Sequence, residues 1–180
     1  PVPRTPLVEV VRRHGTPPDI LATALSLVKT MGKTPVVAAD REGWIVHRLL
    51  VPYLTEAVWL LEEGVPLEAV DQAMIEFGFA SGPLQLIDQS GVDTLARTQP
   101  VLSRAFPWHG EVSEIVRELV ERGHLGLRSG AGFYRYTPGD PPTVNPAAAQ
   151  VMARVRVQRG PLQPGPAGSE VVVRLMLRMV

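Results

Sequence analysis

Apolar residues recur along this chain in two different rhythms, and the change falls near residue 40. Residues 7–11 and 34–38 are short apolar runs rich in β-branched residues, which is typical of buried strands. Between them, residues 17–31 predict a helix that Gly32 ends. The apolar positions of that helix, all predicted to be buried, are Ile20, Leu21, Ala24, Leu25, Leu27, Val28 and Met31. Residues 1–40 thus predict strand, helix, strand, too little to form a stable sheet alone.

From residue 41 onward the apolar positions follow a helical period instead. Glycines and prolines divide this part into predicted helices at residues 43–63, 66–77, 83–92 and 111–122. We therefore predict a mainly α fold, a helical bundle over residues 41–136, preceded by a short strand-helix-strand segment.

The last 44 residues, 137–180, change composition again. Residues 137–169 are rich in Pro, Gly and Ala, which indicates a linker with a short helix near residues 147–155. Residues 171–180 turn apolar, and we interpret them as the start of a further element. The chain opens without Met, which we interpret as a start partway through a longer protein.

Charge and composition narrow the classes of function. Eighteen basic and eighteen acidic residues balance, whereas a nucleic-acid-binding protein normally carries a basic excess. No apolar run reaches the roughly 18–20 residues that span a bilayer, and no signal peptide pattern opens the chain. There is no cysteine, which excludes disulfides and thiolate ligands and leads us to expect a cytoplasmic protein. We expect no nucleic-acid partner and no membrane span.

Five segments, taken in order, resemble the 3-hydroxyacyl-CoA dehydrogenase family. They are PLVEVV (6–11), MGKTPVV (31–37), GWIVHRLLVPYL (43–54), GPLQLID (82–88) and SGAGFY (129–134). Each segment is short, and their order and spacing carry the resemblance. The family's helical domain has a fold like that of the 6-phosphogluconate dehydrogenase C-terminal domain, so the resemblance implies that fold for residues 41–136.

The resemblance also implies the function and the domain plan. Residues 1–40 correspond to the end of the family's dinucleotide-binding domain, and residues 41–136 to its helical C-terminal domain. The implied activity is NAD-dependent oxidation of 3-hydroxyacyl-CoA in fatty-acid β-oxidation, with an acyl-CoA substrate and a homodimeric assembly. The family's glycine-rich fingerprint and its catalytic histidine would both lie before Pro1, so we expect this chain alone to hold no NAD and to be inactive.

The tail adds a further resemblance. Residues 173–180 faintly repeat the sequence of residues 45–52. In the multifunctional α-subunits of bacterial fatty-acid oxidation complexes the helical domain is duplicated, so residues 137–180 would be a linker and the start of a second helical repeat.

Glu9 is the candidate catalytic residue. A carboxylate inside an apolar strand needs a partner that offsets its burial. The matching glutamate of the family orients the histidine that removes the hydroxyl proton, a form of general-base catalysis worth roughly 10²–10⁴-fold. Without the resemblance, a solvent-facing position at a sheet edge would be the favoured interpretation.

His47 is the candidate substrate-binding residue. It stands where the family has an asparagine that contacts the substrate near the reacting carbonyl. An asparagine is a neutral donor and acceptor, whereas a histidine takes either role by tautomer and can become cationic. A histidine without any role in binding is an equally weighted interpretation. No residue is assigned to cofactor or metal binding, because His14, His109 and His124 lack the spacing of metal ligands.

Two other interpretations stay open. The chain could be a helical dimerisation module without a catalytic role. The histidine at position 47, where the family has an asparagine, supports this alternative. It could also be a dehydrogenase of the 6-phosphogluconate or hydroxyisobutyrate type, which the ordered segments disfavour. The dimer is expected through residues 41–100, because Trp44, Val58, Trp59 and Leu60 extend the apolar surface of the long helix beyond one stripe.

Overall fold

A computed structural model describes residues 5–106, 110–159 and 168–179 of the chain. The backbone contacts divide it into two compact units, Pro1–Arg48 and Leu49–Val180. The first unit contains the strand-helix-strand segment, and the second contains most of the helices. The mainly α fold predicted from the sequence is confirmed.

The first unit is one parallel strand pair with its crossover helix. Strand β1 (Leu7–Arg12) pairs in parallel with β2 (Thr34–Ala39), Leu7 standing opposite Thr34 and Arg12 opposite Ala39. Helix α1 (Pro18–Thr30) connects them and begins with proline in its first turn, where the missing N–H is not needed. These bounds agree with the prediction to within two residues.

The burial predicted for α1 is wrong at three positions. Val28 is buried, but Ile20, Leu27 and Met31 are more than half exposed. Two strands cover only a small part of a helix, so the apolar face of α1 has more surface than this unit can bury.

The second unit is a helical bundle, with a two-stranded antiparallel hairpin in which Tyr134 stands opposite Val144. Its core consists of large, fully buried side chains that come from every helix after the first unit. Its elements are α2 (Val46–Glu62, which begins in the first unit), α3 (Leu67–Phe77), α4 (Pro83–Ser90), α5 (Val92–Ala105), α6 (Glu114–Glu121), a 3-10 turn (Leu127–Ser129), β3 (Tyr134–Arg135), β4 (Thr143–Val144), α7 (Pro146–Arg159) and α8 (Ser169–Leu177).

Helix α2 is the central helix of the bundle. Apart from Trp59, every residue from Val51 to Glu62 is buried. Val58 and Leu60, which the sequence suggested as part of a dimer surface, lie in the chain's own core. The apolar residues around the circumference of α2 are therefore explained by its burial within the bundle.

The remaining differences from the sequence prediction concern helix ends and elements that were not predicted, namely α5 and the hairpin of β3 and β4. The helix predicted over residues 83–92 ends at Gly91, whose φ of 100° breaks it, and Val92 begins α5. Helix α7 is longer than the short helix predicted near residues 147–155. Among the described residues, no helix is both long enough and apolar enough to cross a bilayer.

Asp71 is a buried carboxylate that joins three parts of the bundle. It accepts hydrogen bonds from the backbone N–H of Leu84 at 2.8 Å and of Gln85 at 3.2 Å, in the first turn of α4. It also accepts one from the hydroxyl of Tyr134 at 2.8 Å. A side chain at Gly82 would collide with this carboxylate, so the close approach requires glycine there.

Asp88 is a second buried carboxylate of this kind, and it joins α4 to the loop that follows α6. Its carboxylate accepts hydrogen bonds from the N–H of Phe133 at 2.9 Å, the N–H of Tyr134 at 2.8 Å and the hydroxyl of Tyr136 at 3.0 Å. Gly132 lies so close to it that a Cβ atom would overlap the carboxylate. The GPLQLID and SGAGFY segments are thus joined through Asp88.

Burial raises the pKa of Asp88 to about 6, although the three hydrogen bonds act to lower it. The folded chain therefore holds this proton more tightly than the unfolded chain, in which the pKa is near 3.8. The stability that the protonated group contributes is fully present below about pH 4 and is lost as the pH rises through about 6.

We predict that the Asp88→Asn variant does not lose this contribution to folding stability as the pH rises. The amide keeps one acceptor oxygen for three donors, so at about pH 4 the variant should be less stable than the wild type by about 1–3 kcal/mol. The difference should narrow as the pH rises to 7, because only the wild type has a proton to lose. Urea unfolding at several pH values measures it, with the exposed Asp140→Asn as control. A difference that stays constant with pH would contradict the prediction.

Candidate functional site

Glu9 lies within strand β1, opposite Val36 of β2, and is half-buried. Its Oε1 atom accepts hydrogen bonds from the backbone N–H of Ile45 at 2.7 Å and of Val46 at 3.1 Å. These amides lie at the start of α2, where a helix leaves its first N–H groups without partners. Glu9 thus supplies, from a distant strand, the acceptor that an N-cap side chain normally supplies.

The charge of Glu9 also suits this position. The N-terminus of a helix carries a partial positive charge, and a carboxylate there gains about 0.3–1 kcal/mol when exposed and more when partly buried. Within the described ranges of the chain, no group donates a hydrogen bond to Oε2 of Glu9. One oxygen therefore holds the helix start, and the other is available to a further donor.

The turn before α2 is strained. Gly43 has a φ of 73° and Trp44 a φ of 44°, so the backbone is left-handed at two successive residues. For a residue as large as tryptophan this conformation costs of order 1–3 kcal/mol. The sequence prediction that Trp44 belongs to the long helix is therefore wrong. The hydrogen bonds from Ile45 and Val46 to Glu9 immediately follow this turn, and they hold it in place.

His47 is the second residue of α2 and is half-buried. Its imidazole forms no hydrogen bond to any residue in the described part of the chain. The two residues selected from the sequence, Glu9 and His47, therefore both lie at the start of α2. Glu9 is held there by two hydrogen bonds, whereas the ring nitrogens of His47 have no partner among the described residues.

The other histidines lie elsewhere. His14 is exposed in the connection from β1 to α1, and His124 follows α6. His109 lies outside the described residues. Among the described residues, no group of three or more His, Asp or Glu side chains is placed to hold a metal ion.

The sequence reasoning missed the buried carboxylates Glu56, Asp71 and Asp88, each less than 3% exposed. All three occur at or beside the apolar positions of their helices, as in the run from Leu84 to Asp88. That placement was the available signal. It identifies a carboxylate that must find donors, but not which donors it finds.

Two domain models of one family match this chain. The family described as "3-hydroxyacyl-CoA dehydrogenase, C-terminal domain" matches residues 43–136, and the one described as "3-hydroxyacyl-CoA dehydrogenase, NAD binding domain" matches residues 1–41. A curated relative, the fatty acid oxidation complex subunit alpha of Idiomarina loihiensis, is 39% identical over 136 residues, which are 76% of this chain.

Solved structures agree with this assignment. The crystal structure of FadB2 from M. tuberculosis is 38% identical, with a TM-score of 0.72 over 76% of this chain. The dehydrogenase part of multifunctional enzyme 1 from C. elegans covers 96% of this chain with a TM-score of 0.65; at 23% identity it shows the fold alone.

This chain spans a part of each of these proteins. It covers 19% of the Idiomarina subunit, 49% of the M. tuberculosis protein and 38% of the C. elegans protein.

We predict that Glu9→Ala frees the start of α2. Loss of a capping side chain costs about 0.5–2 kcal/mol, so the amide hydrogens of Ile45 and Val46 should exchange about 2- to 30-fold faster. Glu9→Gln should lie between, because its carbonyl oxygen still accepts but carries no charge. NMR-detected hydrogen exchange measures this.

The matched control is Glu42→Ala, an exposed glutamate of the same unit. It should leave both exchange rates unchanged. Equal exchange in Glu9→Ala and the wild type would show that the carboxylate does not hold the helix.

Proposed function

Because this chain belongs to the 3-hydroxyacyl-CoA dehydrogenase family, we propose that it supplies the substrate-facing helical part of an NAD-dependent enzyme that oxidises 3-hydroxyacyl-CoA thioesters in fatty-acid oxidation. The observation that carries the proposal is that Glu9 binds the first amides of α2, directly before His47 in the same helix turn. The similarity of residues 1–136 to the Idiomarina subunit supports the same substrate class.

Glu9 is proposed to position a general base. Oxidation of a 3-hydroxyl group requires a base that takes the hydroxyl proton, and we assign that base to a histidine upstream of this chain. Oε2 of Glu9 would accept a hydrogen bond from its imidazole, which fixes the ring's tautomer and orientation and stabilises its protonated form. The bonds from Ile45 and Val46 to Oε1 would keep the carboxylate in place.

His47 is proposed to donate a hydrogen bond to the carbonyl oxygen at the reacting carbon of the substrate. In its neutral form the ring donates one hydrogen bond, as the family's asparagine does. Its position in the first turn of α2 adds the partial positive charge of the helix terminus, which favours an oxygen that gains negative charge.

The described residues do not fit the cofactor itself. A dinucleotide needs a glycine-rich turn between a strand and a helix, so that the backbone approaches the pyrophosphate. The connection from β1 to α1, residues 13–17, contains one glycine, Gly15, and places Pro17 at the N-cap. We therefore assign NAD to a part of the parent protein outside this chain and propose that this chain alone is inactive.

The domain plan stays a proposal as well. Residues 1–40 would complete a larger sheet, which the exposed Ile20, Leu27 and Met31 of α1 support. Residues 41–136 would be the helical domain. Residues 137–180 would join it to the first helix of a second repeat, and α7 within them packs into the core of the bundle and is not an open linker. A cytoplasmic location stays a prediction from the sequence.

Assembly is the second candidate role. The exposed apolar side chains of α3, Ile75 at 39% and Phe77 at 55%, favour association of the helical unit with another copy. A homodimer is therefore proposed for the parent. The purely structural alternative, a dimerisation module, predicts that the parent has no dehydrogenase activity.

We predict that the parent protein oxidises NADH when acetoacetyl-CoA is added. This chain alone should neither catalyse that reaction nor bind NADH. Calorimetric titration of the chain with NADH should show no heat of micromolar binding, while the parent should give a saturable isotherm. Micromolar binding by the chain alone would contradict the assignment of the cofactor, and an inactive parent would favour the dimerisation module.

We predict that, in the parent, His47→Asn preserves or raises turnover. His47→Ala should lower kcat/KM by the value of one lost hydrogen bond, about 0.5–1.5 kcal/mol or 2- to 13-fold. Steady-state kinetics with acetoacetyl-CoA measures both variants. His14→Ala, an exposed loop histidine, is the control and should not change the rate. Equal rates for all His47 variants would show that the residue has no substrate role.

A further inference from the structure

Trp44 combines a strained backbone with an exposed side chain. Among the described residues it is the one non-glycine residue with a positive φ, at 44°. This left-handed conformation is an outlier for a side chain as bulky as indole, and strain of this kind clusters at ligand-binding and catalytic sites. A glycine or an asparagine would adopt the same φ at a lower cost. The chain thus has a tryptophan at a position where the backbone disfavours one.

Contacts within the folded chain do not account for this tryptophan. Trp44 is 41% exposed, and the next residue, Ile45, is 39% exposed. In the described part of the chain, the indole N–H of Trp44 donates no hydrogen bond and its ring stacks on no other aromatic ring. Trp59, by contrast, is packed so closely that a Cβ atom at Gly110 would overlap its ring. The strain at Trp44 is therefore not offset by burial of the indole.

Trp44 adjoins both residues of the candidate site. The Ile45 nitrogen that donates to Oε1 of Glu9 at 2.7 Å is bonded to the carbonyl carbon of Trp44. His47 follows three residues later, in the first turn of α2. Consecutive Cα atoms are about 3.8 Å apart, so the backbone of Trp44 lies within one residue's length of the Glu9 contact. A ligand held between a base at Glu9 and the ring of His47 therefore lies within reach of an exposed indole.

The exposed surface at this position is apolar. A 3-hydroxyacyl thioester has two different arms at its reacting carbon, a polar one toward the thioester and an apolar one formed by the acyl chain. The thioester carbonyl needs hydrogen-bond donors, whereas methylene groups need an apolar surface. Trp44 and Ile45 together offer such a surface, next to the amides that Glu9 binds. The acyl arm is the part of the proposed substrate that matches them.

We propose that Trp44 is a specificity-determining residue, whose indole packs against the first methylene groups of the acyl chain beyond the reacting carbon. The bonds to Glu9 hold the turn in its left-handed form, and the turn holds the indole beside the site. The strain thereby gains a function, because φ decides the direction in which the side chain leaves the backbone. This inference rests on the proposed function, since it requires a 3-hydroxyacyl-CoA substrate.

The test compares acetoacetyl-CoA with 3-ketohexanoyl-CoA as substrates of the parent protein, with NADH as the reductant. Trp44→Gly and Trp44→Asn remove the indole but suit a positive φ, so that both keep the turn. The longer substrate adds two methylene groups, and burial of one is worth a factor of about 4 in affinity. Each variant should therefore lower the ratio of kcat/KM, longer over shorter substrate, by about 4-fold. Trp44→Phe should retain most of the wild-type ratio, because it keeps a flat aromatic ring.

The loss should appear in KM for the longer substrate, with kcat retained, because the acyl chain makes the same contact before and during hydride transfer. Hydrogen exchange checks the turn in the same proteins. The amides of Ile45 and Val46 should exchange no faster in Trp44→Asn than in the wild type. Leu127→Ala, which changes an apolar residue that is 52% exposed in the 3-10 turn, is the control and should leave the ratio unchanged.

An unchanged substrate ratio in an active parent would overturn this inference and leave the proposed function standing. A change confined to KM for NADH would also overturn it, because the indole would then contact the cofactor. An equal loss for both substrates, with faster exchange at Ile45 and Val46, would assign Trp44 a structural role instead. A parent that reduces neither substrate would refute the proposed function and this inference together.

Discussion

A carboxylate that leaves water must find hydrogen-bond donors or a cation, and this constraint organises both units of the chain. Glu9 meets it with the first amides of α2, Asp71 with the first amides of α4, and Asp88 with the amides of the loop before β3. Glu56 meets it with two arginines of α8. In each case the acid and its donors lie in different elements, so that one side chain fixes the relative position of two elements.

The candidate site is a consequence of the first of these contacts. The left-handed turn at Trp44 would not be stable on propensity alone, and the bonds to Glu9 select it. The same bonds fix where α2 begins and therefore where His47 stands. A residue proposed to act in catalysis is thus also the residue that builds the site, which explains how one carboxylate combines a structural oxygen with an available one.

Local pattern predicted the elements of the first unit and most of the later helices, but it missed α5 and did not predict which surroundings cover each element. The strands β1 and β2 and the helix α1 followed from apolar spacing, because their ends are set by nearby glycine and proline. The start of α2 did not, because it depends on Glu9, 36 residues earlier. Periodicity also marked Ile20, Leu27 and Met31 as buried, since it reports which face is apolar but not whether a partner covers it. The family resemblance was confirmed, whereas the roles of Glu9 and His47 stay predictions.

The central claim is that the start of α2 faces the reacting end of the substrate. The most direct measurement is a crystal structure of the parent protein with acetoacetyl-CoA and NAD bound. The account predicts a substrate carbonyl oxygen within hydrogen-bond distance of the His47 ring, and an imidazole from the preceding domain donating to Oε2 of Glu9. A substrate bound away from α2, with Oε2 of Glu9 facing solvent, would contradict it.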